Sequence, residues 1–300
     1  GTLVIAPVGN DGRPGPGFGT VAAPAAAAEA IAVGTLVARR EVLEADAQLR
    51  VDDDTVLDGP VRVLGGATLK TALRFEVASV AGATLAQPDR PDGSLAAGDA
   101  LGDFFGTDGV SLVAGKAVVV QANQGAVERR VRNAAEAGAA AVLVSGTNLP
   151  AGSLDVEDGV SVPVVAIPAD AGQAALAGGA TLDLSQSRAL PNAQLMDIAS
   201  FSSGGVAFDG RVKPDLVAPG VGLATADAGG QGYATVTGSS AAAAVVAGAA
   251  ALVAEARPTL TARELKSALV GSGGRLLRAG LALPVTAQGG GLVDPIHAAT

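Results

Sequence analysis

The sequence predicts an α/β protein with a block of different texture set between its two ends. Three observations carry that expectation. Short apolar runs at residues 2–6 and 30–37 read as buried strands of one texture. Residues 116–146 read as a compact βαβ-like unit inside a more charged block that begins near Arg39. From about Ile198 the chain turns rich in Gly, Ser and Ala and holds one long helix at residues 240–255.

Composition bounds what such a chain can do. Its 300 residues suggest about two domains, and a hydrophobic fraction of 49% is ample for a packed core. Only 2% of the residues are aromatic, so that core is built from Ala, Val, Leu and Ile. A formal net charge of −9 disfavours nucleic acid and anionic lipid as partners. The chain has no Cys, which removes disulfides, thiolate zinc sites and a thiol nucleophile together. No basic segment precedes the apolar start, so no signal peptide is read. The longest apolar run, residues 241–254, is too short and alanine-rich to suggest a membrane span. An opening inside a strand-like run suggests a piece of something longer.

Taken in order, the first strand ends near Val8 and meets Gly9-Asn-Asp-Gly12, then a Gly/Pro-rich loop to Gly19. In the charged block, residues 61–64 and 73–80 alternate and read as antiparallel strands. Residues 117–121 form a short apolar strand. Residues 126–136 form a helix with Arg129, Arg130 and Arg132 expected to face solvent, and Gly138 ends it. Residues 140–144 and 162–167 repeat the buried-strand texture. A short helix follows Pro168, and residues 181–184 close the block. Thr261-Ala-Arg-Glu264 is a capping box, so a helix starts at Thr261.

Gly238-Ser-Ser240 stands before the long apolar helix. A serine there lies where helix N–H groups are unpaired and the dipole is positive, which favours a nearby developing anion. By itself this is equally an ordinary N-cap serine. Asn10 in its Gly-flanked loop is equally a turn residue. Gly17-Phe-Gly-Thr-Val-Ala22 fits a dinucleotide-loop spacing, but the strand ended at Val8 and prolines intervene, so nucleotide binding is rejected.

Six segments in order resemble the subtilisin-like serine proteases (subtilases). Gly238-Ser-Ser-Ala-Ala-Ala-Ala-Val-Val-Ala-Gly248 is similar to the nucleophile motif G-T-S-M-A-x-P-x-V-A-G, which aligns the nucleophile with Ser240. Ser239, Ala241, Ala244 and Val245 depart from that pattern. Val8-Gly-Asn-Asp-Gly12 resembles the A-G-N-x-G loop whose Asn donates to the oxyanion. Ile31-Ala-Val-Gly34, Phe201-Ser-Ser-Gly-Gly205, Val212-Lys-Pro-Asp215 with Val217-Ala-Pro-Gly220, and Gly289-Gly-Gly-Leu-Val-Asp294 resemble the segments that follow. Gly115-Lys-Ala-Val-Val-Val120, the run from Asn133 to Val142, and Val162-Pro-Val-Val-Ala-Ile167 resemble a protease-associated domain inserted in the catalytic domain. The resemblance thus implies a subtilase-type catalytic domain, a parallel sheet flanked by helices, at 1–40 and 196–300 around an inserted α+β domain at 41–195.

It also implies a serine endopeptidase acting on protein or peptide substrates, secreted or cell-wall associated, with Ser240 and Asn10 as site residues. The family's Asp and His precede its Ser along the chain and are not found here. The single histidine, His297, lies beyond the closing Gly-rich segment and is expected at a helix start on the surface. Asp11 belongs to a turn and Asp215 to a structural segment. No cofactor is expected. Calcium is compatible with the full-length protein but has no assignable ligands here, because Asp52-Asp-Asp54 lacks the spacing of a calcium loop and reads as a solvated face. The alternative is a non-catalytic subtilase-like binding or scaffold protein, which the altered motif at Ala241, Ala244 and Val245 would suit.

Overall fold

The computed structural model describes residues 1–12, 19–78, 80, 98–122, 127–146, 152, 154, 156, 159–227 and 232–300. The start of the Gly17–Ala22 segment lies outside the described residues. In chain order the elements begin with β1 (Ile5–Pro7), α1 (Ala23–Ala26) and β2 (Ile31–Leu36). The charged block contains β3 (Glu41–Val51), β4 (Asp54–Gly66), β5 (Leu73–Ala78), β6 (Ala117–Gln121) and α2 (Val127–Glu136). It continues through β7 (Ala141–Ser145), β8 (Pro163–Ile167), α3 (Ala169–Ala175), β9 (Ala180–Leu184) and β10 (Arg188–Pro191). Then come β11 (Gly205–Val206), β12 (Val212–Lys213), β13 (Leu216–Pro219), β14 (Leu223–Ala226) and β15 (Tyr233–Val236). The chain closes with α4 (Ser239–Ala256), α5 (Ala262–Gly271), β16 (Leu277–Arg278), β17 (Leu281–Ala282), α6 (Val285–Gln288) and α7 (Pro295–Ala299). Contacts divide these into two compact units, one of Gly1–Arg40 with Ala193–Thr300, the other of Glu41–Asn192.

The first unit is built on a parallel sheet in the order β1-β2-β13, with Ile31 opposite Ile5 and Val33 opposite Leu216. Alternate residues point to opposite faces, so Ile31, Val33, Leu216 and Ala218 line one side. Against them lies α4, presenting Ala242, Val246, Ala249 and Val253, a stripe at helical spacing. By length and composition α4 is apolar enough to cross a membrane; here that stripe packs on the sheet. On the opposite face Ala6, Val8 and Ala32 pack with Ala25 of α1. The expected capping box is formed, with Glu264 N–H donating to Thr261 Oγ1 and Thr261 N–H to Glu264 Oε2.

The second unit has strand order β10-β3-β4-β8-β7-β6-β5-β9, and β9 pairs with β3 as well, so seven strands return on themselves. Val118, Val120, Val142, Val144 and Val164 pack with Val131 and Ala134 of α2. The alternate residues Val119, Leu143 and Val165 face Ala171 and Ala175 of α3, with Ala47 and Leu49 of β3 and Leu182 of β9. The unit therefore owns two apolar cores. Its first and last strands pair, with Pro191 opposite Glu41. In the first unit the flanking residues also meet, since Val37 N–H donates to Asp197 O (2.9 Å) and Met196 N–H to Val37 O (2.8 Å). The contacts end the insert at Asn192, slightly before residue 195.

Two expectations need correcting. Arg130 is buried, not exposed: its Nε donates to Asp99 Oδ1 at 2.8 Å and its Nη1 to Gln121 O at 3.0 Å. A guanidinium tolerates burial only when its donors are satisfied, as here. The segment 73–80 is not purely antiparallel, because β5 runs antiparallel to β9 and parallel to β6. The charge-rich stretch after Arg40 contains an eleven-residue strand, β3, whose Val42, Ala45, Ala47 and Leu49 are buried. Asp52-Asp-Asp54 lies at the exposed tip joining β3 to β4, with Asp52 at φ 51°. Among the described residues no group of His, Asp or Glu side chains is arranged to hold a metal ion.

One polar cluster ties the first unit together. Asp215 Oδ2 accepts from the buried Lys213 Nζ (2.7 Å) and from Ala32 N–H at the start of β2 (2.7 Å). Lys266 of α5 lies 3.7 Å from the same oxygen and donates to Ala28 O and Ala30 O. Burial pushes the Lys266 ammonium below its ordinary value, partly countered by the Asp215 charge. Removing the carboxylate would strand a buried lysine. Asp215→Ala is therefore expected to destabilise the fold by about 3–5 kcal/mol in urea unfolding, and a loss below about 1 kcal/mol would show that Lys213 finds other partners.

Candidate active site

The carboxyl ends of β1, β2 and β13 all point toward the start of α4, the end of a parallel sheet where ligands bind. After β1 the chain enters the Val8–Gly12 loop. After β13 it reaches Gly220, where an added Cβ would lie 2.7 Å from Gly238 O and 2.9 Å from Ala242 Cβ. Only glycine lets the strand end and the helix start approach so closely, and Gly238 N–H donates to Gly220 O at 2.8 Å.

Two hydrogen bonds lock the Asn10 loop to the helix start. Ser239 N–H, one of the unpaired donors of the first turn, donates to Asn10 Oδ1 at 2.9 Å. In return Gly9 N–H donates to Ser239 Oγ at 3.2 Å. Ser239 is buried and its neighbour Ser240, the second helical residue, is exposed. With its oxygen committed, Asn10 presents Nδ2 over Gly238. An ideal Cβ built on Gly238 would sit 3.2 Å from Asn10 Nδ2 and 3.8 Å from Ser240 N. Both N–H groups therefore lie close to Gly238 at the start of α4. The first turn carries no acidic side chain to offset the positive end of the helix.

From below, the loop is held by the segment after Ala199. Gly12 N–H donates to Phe201 O (2.7 Å), Asp11 N–H to Ser203 Oγ (3.0 Å), and Ser203 N–H to Gly9 O (3.0 Å). Adjacent Ser202 accepts from Thr35 N–H at 3.0 Å, which ties the same segment to β2.

Ser240 and Asn10 are thus brought together, and His297 is not brought to them. Its N–H donates to Asp294 Oδ1, an N-cap bond, and Ala298 O accepts from Arg257 at the far end of α4. At 1.5 Å per residue, Ser240 and Arg257 stand about 25 Å apart along the helix. Asp11 is exposed in the loop and Asp215 belongs to the lysine cluster. Sequence reasoning assigned no role to Ser203, Gly238 or the hydroxyl of Ser239. The signal available was the second serine of Phe201-Ser-Ser-Gly-Gly205, a small polar residue inside an apolar setting.

Residues 1–289 match the model of the subtilase family. Among solved structures, the chain is similar to the psychrophilic subtilisin-like protease Apa1 from the Antarctic psychrotroph Pseudoalteromonas sp. AS-11. That match has 16% identity and a TM-score of 0.33, and covers all of this chain and 63% of the other. The aminopeptidase of Aneurinibacillus sp. strain AM-1 matches at 18% identity and a TM-score of 0.31, over 50% of this chain and 34% of its own. A zinc aminopeptidase of Bacillus subtilis matches over the same shares at 17% identity and a TM-score of 0.31. The chain therefore spans under two thirds of the length of these structures. No curated protein matches it.

Gly238 gives a direct test of the site. Gly238 has φ 141°, so Gly238→Ala introduces backbone strain of about 1–3 kcal/mol and places a methyl group 3.2 Å from Asn10 Nδ2, close enough to displace it. The variant is expected to fold, with a lowered melting temperature, and to lose about 10²-fold or more in kcat in the intact protein. Wild-type kcat in folded Gly238→Ala would mean that reacting atoms do not use this position.

Proposed function

Because the chain belongs to the subtilase family, a family of proteases, we propose that it is the nucleophile-bearing part of a serine endopeptidase. Ser240 Oγ attacks the carbonyl carbon of the scissile peptide, and its proton passes to a histidine base that a carboxylate orients. The carbonyl oxygen becomes an oxyanion and accepts hydrogen bonds from Asn10 Nδ2 and Ser240 N–H. Collapse breaks the C–N bond as the histidine returns the proton to the leaving amine, and water then hydrolyses the acyl-serine ester. The histidine and its carboxylate are supplied from outside this chain, whose single histidine lies at the wrong end of α4. The observation that supports the reading is the Ser239 N–H to Asn10 Oδ1 bond, which ties the Asn10 side chain to the start of the helix that carries Ser240 and leaves Nδ2 to donate elsewhere.

The motif departures leave that geometry intact. Ala244 and Val245 fall on the exposed side of α4, away from the face that meets the sheet, so neither touches the bond that aims Asn10. This favours the enzyme over a non-catalytic scaffold. Protein or peptide chains are the substrates, and a secreted or cell-wall setting suits the family. No step requires a cofactor.

In the intact protein, Ser240→Ala should abolish turnover of a chromogenic peptide. Asn10→Ala should lower kcat about 10²–10³-fold with little change in KM, a range set by subtilisin itself, a member of the same family. Turnover by Ser240→Ala, or wild-type kcat in Asn10→Ala, would overturn the assignment. The chain alone should neither hydrolyse peptides nor label rapidly with a fluorophosphonate, since a serine without its base is a weak nucleophile.

The Glu41–Asn192 unit acts on substrate access, as a protease-associated domain would. Its support is its own two cores, the pairing of its ends through Glu41 and Pro191, and the lack of any His in it. Replacing it by a short linker should keep kcat/KM on a small peptide within about tenfold while changing cleavage of a folded protein much more. Loss of small-peptide cleavage in soluble, folded deletion protein would make the unit part of the catalytic core.

A further inference from the structure

We propose that Ser203 is a positioning residue that holds Asn10 in its donor geometry by gripping the peptide units on both sides of it. The inference rests on the reading of Asn10 as the oxyanion donor. Asn10 and Asp11 are exposed. An asparagine in such a loop holds an aim only if its backbone is fixed. Ser203, fully buried beneath it, fixes it twice. Its N–H donates to Gly9 O at 3.0 Å, and its Oγ accepts from Asp11 N–H at 3.0 Å. The hydroxyl thus takes the place a carbonyl would hold in a strand ladder, and the residue between the two bonds is Asn10.

The fit is tight enough to constrain both partners. Gly9 has φ 113°, and a Cβ there would lie 2.8 Å from Ser203 Oγ and 3.2 Å from its Cβ. The glycine and the serine are therefore matched surfaces. Ser202 anchors the grip in the opposite direction: its Oγ accepts from Thr35 N–H near the end of β2, and its own N–H donates to Ala199 O. Ala199 N–H in turn donates to Thr35 O at 2.9 Å. The two adjacent serines transmit the position of the central strand to the loop that follows its neighbour. Ser239 aligns the Asn10 side chain, and Ser203 aligns the backbone that carries it. Preorganisation of this kind changes the transition state more than substrate binding, because the donor acts on charge that appears only there.

Two measurements test the proposal, one free of any assumption about catalysis. In ¹⁵N-labelled chain, the Asn10 side-chain amide, identified by its absence in Asn10→Ala, should be as ordered as rigid backbone. In Ser203→Ala its order parameter should fall to roughly the range of flexible groups, below about 0.6. An unchanged order parameter in folded Ser203→Ala overturns the proposal. In the intact protein, Ser203→Ala should lower kcat about tenfold with KM held within about twofold, and should cost nothing further in an Asn10→Ala background. An equal loss in both backgrounds shows that Ser203 does not act through Asn10, and likewise overturns it. If Asn10→Ala itself retains wild-type kcat, the proposed function fails while the amide measurement still judges the grip. Should Ser203→Ala not fold, Asp11→Pro removes the donor of the same hydrogen bond from an exposed residue and is read in the same two ways.

Discussion

The reciprocal bonds between Ser239 and the Asn10 loop are the constraint on which the first unit turns. A helix start leaves donors without partners, and a strand end leaves a loop without a fixed course. Joining them answers both needs, with Ser239 N–H on Asn10 Oδ1 and Gly9 N–H on Ser239 Oγ. The two segments are more than two hundred residues apart in sequence, so a long-range fold must be complete before either bond forms. Everything that brings β1, β13 and α4 into register serves this junction. Gly220 admits the helix start, and Asp215 pins the first residues of β2 through Ala32 N–H.

A core almost free of aromatic side chains suits that junction. Alanine at residues 242, 249 and 250 lets α4 lie close to Ile31, Val33 and Leu216, where a larger residue would lift it off the sheet. Lifting it by even an ångström would carry Ser239 out of hydrogen-bonding range of Asn10. The small-residue composition that makes α4 weakly patterned as an amphipathic helix is therefore the same feature that keeps its first turn near the strand ends. In the Glu41–Asn192 unit the demand differs. Valine dominates there, because β6, β7 and β8 are covered on both faces and a β-branched side chain fills a pleated interior.

Much of this was legible in the residues. The strands at β2, β6 and β8 and the helices α4 and α5 follow apolar runs and a capping box whose physical causes are local. Ser240 and Asn10 stand out through the resemblance of their segments to subtilase motifs, because locally they read as an N-cap serine and a turn residue. What stayed hidden was set by distant contacts. Arg130 reads as a solvent-facing member of a basic cluster, and only the fold brings Asp99 to it. β3 alternates through Ala45, Ala47 and Leu49, yet the intervening Asp46, Gln48 and Arg50 leave too few apolar residues in a row to mark it as a strand. Ser203 showed only as the second serine of Phe201-Ser-Ser-Gly-Gly205, since its worth depends on Gly9 and Asp11 lying against it.

The pattern of satisfied and unsatisfied groups separates support from chemistry. Ser203, Ser202 and Ser239 are buried, and each spends its hydroxyl as an acceptor from a backbone N–H of a different segment. Asn10 spends only its oxygen. Among the described residues, Asn10 Nδ2 and the Ser240 hydroxyl have no partner, and Nδ2 lies close to Gly238 at the start of α4. Buried polar groups left idle would be costly, but these two are exposed, so solvent satisfies them until a substrate does. A donor held rigidly by its neighbours and free at its tip needs no reorganisation when negative charge appears in front of it. The three buried serines thus do by backbone bonding what the proposed site would require of its supports: Ser239 and Ser203 hold the Asn10 loop, Ser202 ties its neighbour to β2, and none of their hydroxyls needs the free Nδ2.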